Sequence, residues 1–301
     1  MSQFTAQEEL SVDYNINFPH LGIYLEHVGK NININGFTIA YYGIIMASAM
    51  LIGLLIAEKR AKETGQNPDT YVDLFIYLIL FGIIGARLYY VAFTFDSYKD
   101  RLLDIFNLRQ GGIAIYGGII GGVLTVLVYA KIHSLHVGQL LDTFIMGLCN
   151  GQILGRWGNF FNREAFGGYT DNLFAMQLPV SAVRPWEITE TMKANQIILD
   201  GVTYVQVHPT FLYESLWNVG VLLILFFTRN KTKFRGELFL RYLVLYGFGR
   251  LWIEGLRTDQ LLVTGTNIPV SQMLSGVLIL LSSAAILIIR KKVGEKKKET
   301  V

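Results

Sequence analysis

Long apolar runs alternate with short polar segments along most of the chain. A membrane-spanning helix needs about 20 apolar residues. Three runs meet this requirement without any charged side chain, at positions 37–57, 111–130 and 268–289. Four further runs contain one to three charged residues each, at positions 74–95, 137–155, 211–228 and 236–253. Together the runs predict an all-α polytopic membrane protein with seven transmembrane helices.

The basic residues predict how these helices are oriented. Of the 26 Lys and Arg residues, 14 lie in the segments that follow the first, third, fifth and seventh runs. Cytoplasmic loops are enriched in Lys and Arg, so we expect the amino terminus outside and the carboxyl terminus in the cytoplasm. Residues 1–19 contain no basic leader followed by an apolar core. We therefore expect the first span itself to direct insertion.

The spans predict a single integral membrane domain over residues 1–290, followed by a basic cytoplasmic tail, 291–301. An outer amino-terminal segment, 1–36, is expected to supply a short amphipathic helix and a strand. A longer outer arm, at about 157–207, is rich in aromatic residues and ends in a strand-like alternation of apolar positions. These two segments predict a small extracytoplasmic head.

Composition supports the membrane assignment and excludes several kinds of function. Hydrophobic residues make up 52% of the chain and charged residues only 16%. The net charge of +3 comes from the predicted cytoplasmic loops, without a basic face that carries aromatic residues, so no nucleic-acid partner is predicted. The single cysteine, Cys149, excludes an internal disulfide. Because nucleotide loops, metal-binding motifs and serine-nucleophile motifs are missing from the sequence, we expect no cofactor and no metal.

Charged and amide side chains cluster at the end of the fourth apolar run, in the segment GRWGNFFNREAFG, 155–167. A lone desolvated charge costs several kcal/mol, so Arg156 and Glu164 must be paired, hydrated or reserved for a charged ligand. We interpret this segment as a membrane-embedded polar site. Asn159 and Asn162 are expected to orient the arginine through hydrogen bonds, although helix capping also explains Asn162.

A second polar cluster ends the sixth run. Arg250, Glu254 and Arg257 are spaced so that one helical face would carry all three. The plain alternative is an ion pair within the helix that serves no ligand. Planar guanidinium groups bind phosphate through paired, charge-assisted hydrogen bonds. We therefore predict that Arg156 and Arg250 meet around one phosphate, such as a phospholipid headgroup.

Two further segments carry candidate residues. HPTFLYE, 208–214, opens the fifth run, and His208 could contact substrate or move a proton, although a structural hydrogen bond is the favoured interpretation. The glycines of YGGIIGG, 116–122, give the third run small faces at helical spacing. A neighbouring helix or a lipid chain could approach the backbone closely there.

GRWGNFFNREAFG resembles the signature of the bacterial prolipoprotein diacylglyceryl transferases, Gly-Arg-x-Gly-Asn-Phe-x-Asn-x-Glu-x-x-Gly, and matches it at every position. Other similar segments are AYYG at 40–43, GARLYYV at 85–91, YGGIIGG at 116–122, HPTFLYE at 208–214 and RLWIEGLRTDQ at 250–260. The resemblance implies an enzyme that moves the diacylglyceryl group of phosphatidylglycerol onto the lipobox cysteine of a prolipoprotein. A thioether forms and glycerol phosphate is released. The implied location is the bacterial cytoplasmic membrane, with the site facing outward.

The resemblance also implies roles for individual residues. The family's essential arginine falls on Arg156, its headgroup-binding arginine on Arg250 and the associated glutamate on Glu254. Tyr42, Asn159, Glu164 and Gly167 also match functional positions of the family. Arg87, Asn162 and His208 complete the predicted substrate-binding residues, independently of that match.

One position departs from the pattern. Many relatives have a histidine before the paired glycines of the third span, proposed there as the base, whereas this chain has Tyr116. Tyr116 could act as the base or position the ligand. The arginines could also activate the incoming thiol themselves, which would reduce the need for a separate base.

Two other classes of protein fit buried arginines. A lipid or anion transporter would use them as a binding site and would show flux without a covalent product. A membrane scaffold would use them to hold helices together, so that substitutions would lower thermal stability without a specific loss of turnover.

Overall fold

The computed structural model describes residues 15–108 and 111–299, with side chains up to residue 296. Residues 1–14 of the predicted outer segment and residues 300–301 of the predicted tail lie outside this part. The helices are α1 (Tyr41–Glu63), α2 (Asp69–Phe93), α3 (Ile115–Ile132), α4 (Val137–Asn162), α5 (Glu190–Ala194), α6 (Thr210–Thr228), α7 (Glu237–Glu254) and α8 (Val270–Glu299). The strands are β1 (Ile16–Phe18), β2 (Ile23–Leu25), β3 (Asn31–Ile34), β4 (Phe37–Ala40), β5 (Met176–Pro179), β6 (Ile197–Leu199) and β7 (Val202–Val207).

The helices give the chain the character of a multi-pass membrane protein. Each of the seven predicted spans falls on one long helix. By length and composition, α1, α2, α3, α6 and α8 can cross a membrane. α4 and α7 carry more polar residues and are not among these five helices. The number of seven spans and their orientation therefore remain predictions.

The described amino-terminal residues differ from the sequence predictions in two places. The first span was expected to begin at position 37, but residues 37–40 form β4, which pairs with β3 around an Asn35-Gly36 turn. Both turn residues have positive φ, 51° and 86°, which favours a two-residue hairpin over a continuous helix. The amphipathic helix expected within positions 1–36 is also absent from residues 15–36, where strands and one short 3-10 turn stand instead.

The described residues fall into two compact units. The first consists of residues up to Ile52, of Leu148–Lys231 and of the residues from Leu240 onward. It contains an antiparallel sheet in the order β2-β1-β5-β7-β6, so the amino-terminal segment and the outer arm fold together into a small head. The alternation near the end of the arm is the strand β7, as predicted. The "all-α" prediction therefore holds for the helical part of the chain and misses this sheet.

The second unit consists of Gly53–Gly147 and Thr232–Phe239. Its helices α2 and α3 pack at glycines: a Cβ added at Gly117 would lie 2.3 Å from the carbonyl oxygen of Gly85. One added at Gly121 would lie 2.5 Å from the carbonyl oxygen of Phe81. The glycines at these positions of YGGIIGG therefore serve close helix packing, which is one of the two roles expected for them.

Candidate functional site

Glu214 is the centre of the polar cluster in the first unit. It lies one turn inside α6, and its side chain is only 3% exposed. One of its oxygens, Oε2, lies 2.7 Å from Nη2 of Arg156 and 3.0 Å from Nη1 of Arg250. Its other oxygen, Oε1, lies 3.6 Å from Nη1 of Arg257. A single buried carboxylate thus gathers three guanidinium groups that are far apart in the sequence.

Two of the three arginines also have a carboxylate of their own. Arg250 donates to Glu254, which is four residues later on α7. Arg257 donates from Nε and Nη2 to both oxygens of Asp259, at 2.8 and 2.7 Å. Burial opposes the charge on Arg257, but Asp259 raises the pKa of its guanidinium above the usual value. Burial also opposes the charge on Asp259, yet the bonds from Arg257 lower the pKa of that carboxyl.

One detail of the sequence interpretation is wrong here. Arg257 was expected to share a helical face with Arg250 and Glu254, but α7 ends at Glu254. Arg257 instead lies in an isolated bridge with Gly167. It reaches Glu214 because of this turn in the chain, and not through helical spacing.

Arg156 differs from the other two arginines in how its charge is balanced. In the described part of the chain, the carboxylate that contacts Arg156 is the shared one, Glu214. Its Nη1 donates to the neutral amide of Asn159 at 3.3 Å. The side chain is 22% exposed, against 14% for Arg250. Arg156 is therefore the more accessible guanidinium of the two, and its charge is the less fully neutralised.

Glu164 connects the signature segment to the outer arm. Its Oε1 accepts from Asn159 at 3.1 Å and from Asn162 at 3.2 Å. Its Oε2 accepts from Arg184 of the arm at 3.0 Å. Arg184 also bonds the buried carboxylate of Glu187, at 3.2 Å. The two signature asparagines are thus held by one carboxylate, whose position depends on the arm.

The end of the signature is fixed by backbone hydrogen bonds to two distant segments. Gly167 N donates to His208 O at 2.9 Å, and His208 N donates to Gly168 O at 3.0 Å. Gly168 N donates to Leu256 O at 2.8 Å. A Cβ at Gly167 would lie 2.7 Å from Cβ of His208 and 2.8 Å from the Leu256 oxygen. Only glycine fits there, because three segments of the backbone come into contact at this point.

The turn that follows α4 has an unusual backbone. Arg163 and Ala165 both have positive φ, 54° and 58°, which is uncommon for residues other than glycine. The adjacent Phe160 and Phe166 are buried in the apolar core of the head. Burial of one such ring contributes about 1.5–3 kcal/mol. The core of the head therefore holds the turn in place.

Tyr42 and His208 contact the signature differently. The Tyr42 ring packs on Gly158 of α4, where an added Cβ would lie 2.3 Å from Cδ2 of the ring. Nδ1 of His208 lies 3.5 Å from the Asn172 amide nitrogen and 3.4 Å from the Tyr213 hydroxyl. Burial lowers the pKa of His208. These contacts agree with the structural role favoured for this histidine.

Arg87 and Tyr116 belong to the second unit, on α2 and α3. Arg87 is 6% exposed, and its guanidinium donates to the carbonyl groups of the loop that follows α2. The acceptors are the carbonyl oxygens of Asp104, Ile105, Asn107, Gly111 and Gly112. All the donors of this arginine are thus used within its own unit. Tyr116 is half-buried at the start of α3.

The arrangement in the first unit suits an anion better than a metal. Partly desolvated guanidinium groups bind phosphate through paired, charge-assisted hydrogen bonds, and the carboxylates that hold them here fix their positions while neutralising part of their charge. In the described part of the chain, no group of three or more His, Cys, Asp or Glu residues is placed to hold a metal ion. An anion that approached Arg156 would meet the least neutralised charge of the cluster.

A sequence model of the prolipoprotein diacylglyceryl transferase family matches residues 30–289. The chain belongs to this family. It is 42% identical over 259 residues to the phosphatidylglycerol–prolipoprotein diacylglyceryl transferase of Synechocystis, covering 84% of this chain and 86% of the relative. It is 43% identical over 266 residues to the enzyme of that name from Listeria monocytogenes serotype 4a, covering 87% and 90%. The Bacillus cytotoxicus enzyme of that name is 40% identical over 269 residues, covering 89% and 93%.

The predicted site residues of this family member did not include Glu214, Arg257, Asp259 or Arg184. Glu214 was noted in HPTFLYE, but its meeting with both arginines depends on how α4, α6 and α7 pack. Arg184 lies in the arm and carries no motif. The signal that could have found Glu214 was its position: a carboxylate one turn inside an apolar run requires a cationic partner.

Proposed function

We propose that the chain transfers the sn-1,2-diacylglyceryl group of phosphatidylglycerol to the lipobox cysteine of a prolipoprotein, the first step of lipoprotein maturation. The observation that carries the proposal is the meeting of Arg156 and Arg250 on one oxygen of Glu214, in a chain that belongs to this family. The proposed setting is the cytoplasmic membrane of a bacterium, with seven spans, the amino terminus outside and the site facing outward.

The chemistry explains why arginines are needed. The cysteine sulfur attacks the glyceryl carbon bonded to the phosphate, a C–S bond forms, and the C–O bond to phosphate breaks. The thiol proton passes to a base or to water, and glycerol phosphate leaves as a monoester with more negative charge than the diester had. Fixed guanidinium groups stabilise this growing charge more in the transition state than in the ground state.

Each residue of the cluster has a proposed part in this reaction. Arg156 and Arg250 hold the phosphate, with Arg156 as the more accessible of the two. Glu214 and Glu254 fix the positions of the arginines, and Asn159 bonds Arg156. Because a cationic surrounding favours the thiolate, the arginines also activate the incoming cysteine.

The remaining predicted residues act at a distance from the phosphate. Asn162 and Glu164 support Asn159, Gly167 permits the backbone crossing, and Tyr42 packs on α4. We assign His208 a structural part. Tyr116 stays a candidate for the base or for positioning the lipid, and Arg87 is proposed to hold the loop after α2. Residues 1–290 form the membrane domain in this proposal, and 291–301 the cytoplasmic tail.

The proposal is tested by mass spectrometry of a lipobox peptide incubated with the purified protein in phosphatidylglycerol vesicles. The intact protein should add a diacylglyceryl mass to the cysteine, and Arg156→Ala and Arg250→Ala should each abolish the product. Arg101→Ala is the matched control, because that arginine is 78% exposed and should leave activity unchanged. Full activity of either site variant would overturn the proposal, and lipid movement without a covalent product would favour a transporter.

A further inference from the structure

The β3–β4 hairpin has one apolar face and one polar face. In its register Ile32 lies opposite Ile39, and Ile34 lies opposite Phe37. Directly paired residues project to the same side of a two-stranded sheet, and alternate residues of a strand share a face. These four side chains therefore form one continuous apolar surface. The other face carries Asn31, Asn33, Thr38 and Ala40.

The apolar surface is not covered by the described part of the chain. Ile32 is 36% exposed, Ile34 51%, Phe37 76% and Ile39 42%. A two-stranded hairpin is marginally stable by itself in water, so a hairpin with such a face needs a partner for it. Four large apolar side chains on one small surface also mark an interaction site more often than isolated exposed residues do.

The position of the hairpin in the chain identifies that partner. β4 ends at Ala40, and α1, which is long and apolar enough to cross a membrane, begins at the next residue. The backbone N–H of Tyr41 donates to Lys30 O at 3.0 Å, so the base of the hairpin is fixed to the first residue of the helix. A surface that continues directly from a membrane span lies at the level where that span leaves the hydrocarbon. We propose that the apolar face of the β3–β4 hairpin inserts into the interfacial region of the outer leaflet as a membrane anchor.

The anchor has a consequence that rests on the proposed function. Tyr41 and Tyr42 follow the hairpin directly, and Tyr42 packs on Gly158, beside Asn159 and two residues from Arg156. Tyr41 also packs on Phe161 of α4, with ring centroids 5.0 Å apart, so two aromatic contacts connect the hairpin to the helix that carries the arginine. By fixing the depth of this helix end, the anchor sets the arginines at the level of lipid phosphates.

Spin labelling of the two faces tests the anchor directly. Phe37→Cys and Thr38→Cys are made in a chain in which the buried Cys149 is replaced by alanine, and both are labelled in phosphatidylglycerol–phosphatidylethanolamine vesicles. Thr38 is the matched control, because it is exposed, adjacent in sequence and on the polar face. Collisions with oxygen, which partitions into lipid, are compared with collisions with a water-soluble nickel chelate.

The anchor requires label 37 to collide mainly with oxygen and to lose collisions with nickel, while label 38 stays accessible to nickel. Equal nickel access at both positions would overturn it. Protection of label 37 from both reagents would also overturn it, because a protein surface, such as a second copy of the chain, would then cover this face. These outcomes are measured without turnover, so they stand or fall separately from the transferase activity.

The consequence for depth is tested with the same two positions. Phe37→Asp should raise the KM for phosphatidylglycerol in vesicles several-fold with little change in kcat, and Thr38→Asp should change neither. If label 37 lies in lipid but Phe37→Asp leaves KM unchanged, the hairpin is an anchor that does not set the depth of the site. If the unmodified chain forms no diacylglyceryl product, that result contradicts the proposed function instead.

Discussion

At the scale of single residues, Glu214 decides how the two arginines meet. Like charges repel, and Arg156 and Arg250 would move apart without an anion between them. Glu214 supplies that anion in the free protein, with one oxygen within 3.0 Å of both. A lipid phosphate would have to share the guanidinium groups with this carboxylate. We therefore regard Glu214 as a positioning residue, which holds the arginines ready for a second anion.

We expect Glu214→Gln to lower kcat by about a hundredfold, the order of loss that follows from misplacing reacting groups by about 1 Å. The amide keeps the volume of the side chain but removes the charge that holds the arginines together. Turnover of a lipobox peptide and thermal unfolding are measured together, because removing one partner of a buried ion pair also costs about 3–5 kcal/mol.

Two comparisons separate positioning from stability in this experiment. Glu190→Gln is the control, since Glu190 is 88% exposed and bonds only the nearby Lys193 among the contacts of the described chain. Glu214→Asp keeps the charge on a shorter side chain and should recover part of kcat. If Glu214→Gln is folded and its turnover is unchanged, Glu214 does not position the arginines for the reaction.

Part of this cluster could be predicted from the sequence, and the reason is local geometry. Arg250 and Glu254 are four residues apart on one helix, so their ion pair follows from helical spacing. Asn159, Asn162 and Glu164 lie within six positions of one another, at the end of α4 and in the turn that follows it. Glu214 and Arg184 meet their partners only after distant segments have packed, and no spacing in the sequence encodes that. The convergence of Arg156 and Arg250 was predicted from the cost of two charged clusters at helix ends in lipid and from the fit of paired guanidinium groups to one phosphate.

At the scale of elements, charged residues inside the apolar runs have specific partners. Asp142 of α4 accepts from the backbone N–H groups of Gly236 and Phe239, at 2.6 and 2.9 Å, and so caps the start of α7. Arg241 donates to the carbonyl oxygens of Thr228 and Lys231. Unsatisfied backbone groups at helix ends are costly in a membrane. The charges that interrupt these spans therefore stabilise loops and helix ends.

Arg87 provides the test of this view. We expect Arg87→Lys to loosen the loop after α2, because lysine has three N–H donors and cannot replace all the bonds to the loop carbonyls. Each lost bond costs about 1.5–3 kcal/mol, the range for hydrogen bonds that involve a charged group. Hydrogen exchange of residues 102–108 should become faster in the variant.

The same variant distinguishes the two roles considered for Arg87. If Arg87 contacts the lipid headgroup directly, Arg87→Lys should raise the KM for phosphatidylglycerol while exchange in the loop stays slow. Arg101→Lys is the control for both measurements, because Arg101 lies in the same loop after α2 but is largely exposed. If Arg87→Lys leaves both the slow hydrogen exchange of residues 102–108 and the KM for phosphatidylglycerol unchanged, both roles are contradicted.

At the scale of the whole molecule, the helices were predictable and the sheet was not. Long apolar runs form helices because lipid offers no hydrogen-bond partners to the backbone. The strands of the head are only three to six residues long, and Asn17 of β1 pairs with Gln177 of β5, 160 positions later in the sequence. Such pairing depends on contacts between distant residues. The sequence located β7, which is the longest strand and has alternating apolar positions, whereas the strand expected in the amino-terminal segment was not placed on particular residues.

The head also predicts how the stability of the protein depends on pH. His208 links the signature to the start of α6, and its burial lowers its pKa in the folded state. The unfolded chain takes up the proton near the ordinary value of about 6.5. Stability is therefore full above this pH and falls as the pH drops through the interval between the unfolded and the folded pKa.

We expect the thermal midpoint in detergent to decrease between pH 7.5 and pH 5, and the decrease to be smaller in His208→Gln. His133→Gln, at an exposed position outside the head, should follow the unmodified protein. Equal slopes for all three proteins would show that protonation of His208 does not limit stability.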